Sequence, residues 1–147
     1  IQPLVSYNYG SGRKDRVNKF LTLGLIFNIS YALIVIIIFL TKSDIIIELF
    51  NKDNEKLRLL TSQNILKYFS ATIFTGINVV IATYIQAQGQ GKASSVIMFF
   101  RAFLLMVIGV IILSKFFGID GVWYTTLFSE VVTFIGLMIW MKLYKKN

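Results

Sequence analysis

Apolar positions along this chain gather into four long runs. A helix needs about 20 mostly apolar residues to cross the hydrocarbon core of a bilayer. Phe20 to Leu40 meets that need without a charge, flanked by Lys19 and Lys42, and Tyr68 to Gln88 follows as a more polar run between Lys67 and Lys92. Ser95 to Phe117 is a third run, interrupted by Arg101, and Val122 to Met141 a fourth, interrupted by Glu130. Between the first two lies Lys42 to Lys67, a mixed-charge stretch in which Ile45, Ile46, Ile47, Leu49 and Phe50 form a short apolar patch. It is too charged to cross and reads as an extramembrane loop with a short helix that continues through Leu57 to Leu60 into the second span. Gly89 and Gly91, then Gly118 and Gly121, supply turn residues for the tighter connections. The pattern predicts an all-α membrane protein with four spans. Ile1 to Gly10 reads as the end of an element that begins upstream, so a piece of a larger membrane protein is expected.

Composition agrees with the pattern. Hydrophobic residues make up 56% of the chain, mean hydropathy is +0.70 and 15% of residues are charged, far from an ordinary soluble domain. The chain has no cysteine and no histidine, which removes thiol nucleophiles, thiolate metal sites and the commonest general base. With one carboxylate inside the apolar runs, a catalytic constellation cannot be assembled, and no enzymatic role is expected. The net charge of +8 does not point to nucleic acid, because the basic residues cluster at the ends of apolar runs, as juxtamembrane anchors do. If the chain weaves four times, one side holds Arg13, Lys14, Arg16, Lys19, Lys92, Arg101, Lys142, Lys145 and Lys146, and the other holds Lys42, Lys52, Lys56, Arg58, Lys67 and Lys115. The richer side should be cytoplasmic.

Charges at membrane depth are costly, face a protein interior or a watery path, and find partners. Taking 1.5 Å per residue, Glu130 lies roughly 18 Å from Lys142 and Arg101 roughly 13 Å from Lys92, depths close enough to pair. Two readings stand: an Arg101–Glu130 ion pair locking adjacent helices, or a Glu130 that binds a proton or cation during transport. Beside Glu130, Thr126, Ser129, Thr133 and Gly136 form a small-residue face that lets a neighbouring helix approach. On the second span Tyr68, Thr72, Thr75, Asn78, Ala82, Gln86 and Gly89 recur at spacings of three and four, a polar stripe that should not point at lipid. It is either a helix-packing seam or the wall of a substrate cavity.

Three motifs lead nowhere. Gly89-Gln90-Gly91-Lys92 with Ser94 lacks the full glycine spacing and preceding strand of a phosphate loop. The Asn28-Ile29-Ser30 sequon lies inside the first span, and Asp53 and Glu55 have no metal-ligand companion.

Gln2-Pro3-Leu4-Val5-Ser6-Tyr7-Asn8-Tyr9-Gly10-Ser11-Gly12-Arg13 resembles the segment that ends the eighth helix of multidrug and toxic compound extrusion (MATE) transporters, closest to the MepA-like bacterial branch. Gln86-Ala87-Gln88-Gly89 with Lys92, then Arg101, then Phe117-Gly118-Ile119-Asp120-Gly121-Val122-Trp123 with Glu130, agree with that family in order and spacing. The resemblance implies the C-terminal part of the second lobe of a twelve-helix, two-lobe protein. In that frame residues 1–12 end helix 8, 20–40 are helix 9, 43–60 an extracellular loop with a short helix, 61–88 helix 10, 93–117 helix 11, 121–142 helix 12 and 143–147 a cytoplasmic tail.

The resemblance further implies efflux of amphipathic cationic small molecules across the plasma (inner) membrane by Na+ or H+ antiport with alternating access, no cofactor beyond the coupling ion, and an N-terminal lobe as partner. It raises Tyr68, Thr72, Thr75, Asn78 and Gln86 as cavity-lining residues. The first lobe's acidic coupling residue is not in this chain, and no Asp or Glu lies between Tyr68 and Gln88, so this chain alone should not transport. A lipid-linked polysaccharide flippase of the same superfamily, which would have a more cationic cavity, and a non-transporting scaffold subunit, which would need no intramembrane charges, are the rival readings.

Overall fold

The computed structural model describes residues 1–50 and 54–144, and every regular element among them is helical. They are α1 (Gln2–Gly10), α2 (Lys14–Phe50), α3 (Glu55–Phe69), α4 (Thr72–Ala87), α5 (Gly91–Phe99), a π-helical turn (Phe100–Leu104), α6 (Leu105–Phe117) and α7 (Ile119–Tyr144). Among the described residues, three stretches are long and apolar enough to cross a bilayer: Lys14–Leu49, Gly91–Phe117 and Ile119–Leu143. The bent pair Glu55–Phe69 and Thr72–Ala87 would make a fourth.

Several boundaries differ from those the sequence suggests, each for a local reason. The first span does not end at Leu40: helix continues past a break at Lys42 (φ −132°, ψ 16°) to Phe50. Thr41 Oγ1 bonds back to the Ile37 carbonyl at 2.8 Å just before the break, and beyond it Ile47 is buried, so the apolar patch keeps the chain helical. The expected loop at 43–60 is thus largely helix, with α3 starting where the Asn54 side chain accepts the Leu57 N–H at 3.0 Å. Asp53 lies outside the described residues.

The second span, read as one helix over 61–88, bends by about 40° between α3 and α4. Ser70 Oγ donates to the Lys67 carbonyl at 2.6 Å, taking the acceptor that Ala71 N–H would use, and that N–H goes to Tyr68 instead. Gly118 (φ 58°) makes the turn into α7, whereas Gly121 is helical, and a Cβ there would collide with the Leu113 carbonyl. Close approach rather than turn geometry explains that glycine. Of the expected tail at 143–147, Leu143 and Tyr144 extend α7, and 145–147 lie outside the described residues.

At the other end of the chain, the Gln2 to Arg13 motif builds a helix end and a turn. Pro3 opens α1, where a missing N–H costs nothing. The Asn8 carbonyl then accepts the Arg13 N–H at 2.9 Å across Gly10, Ser11 and Gly12, the last at φ 70°. Gln2 and Tyr7 are exposed, and Trp123 in α7 is half-buried.

α4 is the hub. Its Ile81 and Ile85 pack with Leu137 of α7, backed by Leu21 and Leu25 of α2, and its Ala87 packs with Val5 and Val17 of α1 and α2. α2, by contrast, turns Leu23, Ile26, Phe27, Ile34 and Ile37 outward. Such exposure would be untenable in water and is what a lipid-facing helix requires.

Candidate functional site

α7 carries a ladder of buried residues four apart, Thr125, Ser129, Thr133 and Leu137, with Glu130 beside it. Thr125 and Thr133 return their hydroxyls to the carbonyls of Gly121 and Ser129 at 3.1 and 2.8 Å. The row is shifted from the 126–129–133–136 face read from sequence: Thr126 is half-buried and Gly136 exposed. Both rows fit helical spacing, and the contact with α4 and α6 selects between them.

Glu130 is 6% exposed and joins three helices. Arg101, in the π turn, places Nη1 2.6 Å from Glu130 Oε1. From α4, Asn78 Nδ2 donates to Glu130 Oε2 at 2.7 Å and to the Glu130 carbonyl at 2.8 Å. A carboxylate with a charged donor on one oxygen and a neutral donor on the other is compensated as burial demands. Two buried polar atoms of the cluster, Asn78 Oδ1 and Arg101 Nε, have no hydrogen-bond partner among the described residues. Ser129 Oγ donates to the Arg101 carbonyl at 2.7 Å, and Ser94 of α5 ties to the Ala82 carbonyl of α4 at 2.8 Å. Counting 1.5 Å per residue, Glu130 sits about 17 Å along α7 from Ile119 and Arg101 about 15 Å from Gly91, near the middle of each apolar helix.

The polar stripe of the second span does not stay together. Asn78 is fully buried in the cluster and Ala82 is a seam residue. Thr72 and Thr75 are half-buried, and Gln86 is exposed. Tyr68 is on α3, before the bend, and exposed. None of the five candidates lines the cavity of about 460 Å³ that opens among Tyr9, Lys14, Asn18, Tyr84, Gln88 and Trp140 at the ends of α1, α2, α4 and α7.

Sequence reasoning passed over two features. Nothing linked Asn78 to Glu130, although a buried amide opposite a carboxylate at matching depth is a signal. A second ion pair, Lys67 Nζ to Asp120 Oδ1 at 2.6 Å, ties α3 to α7 at their other end, with Lys67 also donating to Asn64 Oδ1 at 2.7 Å and lying 5.6 Å from the centre of the Tyr124 ring.

Outward-facing aliphatic helices around a buried, charged and hydrogen-bonded centre define a multi-pass helical membrane protein. The profile of the MatE family matches residues 1–112, about three quarters of the chain. The chain therefore belongs to the MatE family of membrane transporters, and Arg101 and Asn78 lie in the matched part while Ser129 and Glu130 lie beyond it. No curated protein and no solved structure gives a significant match to it.

Proposed function

We propose that this chain forms the C-terminal part of the second lobe of a secondary active multidrug and cation efflux transporter, nearest the MepA-like branch, working by Na+ or H+ antiport with alternating access. The bundle sits in the plasma membrane with the C-terminus cytoplasmic. The observation that carries the reading is the buried Glu130, held at mid-depth by one fixed cation and one neutral amide in a chain of this family. Helix locking alone does not need charge, because a buried ion pair can often be replaced by apolar packing without loss of stability. A carboxylate kept there is suited to a group whose proton or cation occupancy changes during transport.

When Glu130 takes up a proton or Na+, its attraction for Arg101 falls and the α5–α6 side is released from α7. Asn78 reports the same event to α4, whose Thr72, Thr75 and Gln86, with Tyr68 before the bend, form the wall past which amphipathic cations move. The N-terminal lobe supplies the opposite wall, so this chain alone is inactive.

The test is ethidium efflux from cells expressing the full-length parent, wild type against Glu130→Gln, under imposed Na+ and H+ gradients. Glutamine keeps the shape and can still accept from Asn78 but carries no charge. Loss of gradient-driven efflux at normal membrane expression is expected. Retained efflux would return Glu130 to a purely structural pairing, and absence of efflux from wild type would overturn the drug-export reading.

A further inference from the structure

The π turn at Phe100–Leu104 creates a problem that Ser129 resolves. In an α-helix the Arg101 carbonyl would accept the Leu105 N–H, four residues on. Here the Leu105 N–H reaches back five residues to the Phe100 carbonyl. The Arg101 carbonyl has lost its α-helical donor inside a buried seam, where an unpaired carbonyl is expensive. Ser129, a residue 2% exposed, supplies the replacement through its Oγ at 2.7 Å.

The wider turn also sets the phase of the helix. Residues seven apart on an α-helix return to within about 20° of the same face, whereas residues eight apart miss it by about 80°. Ser94 packs against α4 and Gly109 against α7, where a Cβ on Gly109 would come 2.9 Å from Thr125 Cγ2. Arg101 stands seven residues after Ser94 and eight before Gly109. A π turn absorbs about one residue, which brings all three onto one seam and aims the guanidinium at Glu130.

We infer that Ser129 is a positioning residue: its hydroxyl holds the π turn open, and so sets whether Arg101 can reach Glu130. This rests on the transport reading for its consequence, since the π turn then becomes the element that changes when the ion pair breaks. With Glu130 discharged, the Arg101 carbonyl can recover the Leu105 N–H, the turn tightens toward α-helix, and Arg101 rotates off α7. Ser129 acts only through Arg101 and need not touch substrate or ion.

The experiment compares wild type, Ser129→Ala and Ser129→Thr in the full-length protein, reading amide hydrogen exchange over residues 100–106 and the concentration dependence of ethidium efflux in proteoliposomes. Loss of one buried hydrogen bond should raise exchange in that segment about tenfold in Ser129→Ala and leave Gly109–Phe117 unchanged. The maximal efflux rate should fall roughly three- to tenfold with the half-saturating ethidium concentration unchanged, and in a Glu130→Gln background, where gradient-driven efflux is already lost, Ser129→Ala should cause no further loss. Threonine, which keeps the hydroxyl, should restore both readouts. Unchanged exchange in Ser129→Ala, a rise spread evenly over α5 to α7, or failure of threonine to restore would each overturn the assignment. Should wild type not pump ethidium, the export reading falls, while the exchange result still decides whether Ser129 holds the turn.

Discussion

α2 and α7 both pass for membrane spans, but they are built to opposite rules. α2 is aliphatic nearly all round and buries little of itself, with Ile26, Phe27, Ile34 and Ile37 exposed to where lipid would lie. α7 is less apolar and buries Thr125, Ser129, Glu130 and Thr133. In lipid the apolar residue gains nothing by leaving the surface, so the inside is free to hold small and polar groups. Of these two, the more apolar span says less about function, and the less apolar one carries Glu130.

That contrast can be broken most severely at its charged centre. Arg101→Met leaves Glu130 buried with only Asn78, and should cost about 3–5 kcal/mol, read as a large fall in detergent thermal stability. Glu130→Met added to it should recover much of that stability while efflux stays lost, and a double variant as unstable as the single one would contradict the pairing. Next, Ile34→Arg on the outer face of α2 should cost about 2.5–3.5 kcal/mol in a membrane-insertion assay, with Ile34→Ala close to neutral. An arginine tolerated there would mean that this face meets protein or water. The smallest effect separates two glycines. Gly121→Ala drives a Cβ into the Leu113 backbone and should cost about 1–3 kcal/mol in thermal stability. Gly24→Ala in α2 meets side-chain atoms, the far end of Ile1 at 2.6 Å and Val80 Cγ1 at 3.3 Å, and no backbone, and should cost under about 1 kcal/mol.

The spans were legible because a bilayer imposes a length and a hydropathy that any window detects. Arg101 and Glu130 were legible as partners because their depths can be counted from the flanking lysines. What escaped was decided by contacts between helices. The bend at Ser70 depends on a hydroxyl choosing one carbonyl over another. The π turn depends on where Ser94 and Gly109 must land, which no periodicity within α5 and α6 contains. Asn78 was seen as one member of a stripe, but only the packing of α4 on α7 made it the second partner of Glu130 and left Gln86 outside.

The Lys67–Asp120 bridge has a further consequence. Its side chains are 26% and 54% exposed, against 15% and 8% for Arg101 and Glu130. Dissolved salt shields the first and hardly reaches the second. The bundle thus has one clasp that loosens with the ionic strength around it and another that is deaf to it, so the medium can adjust the rim of the bundle without disturbing its centre.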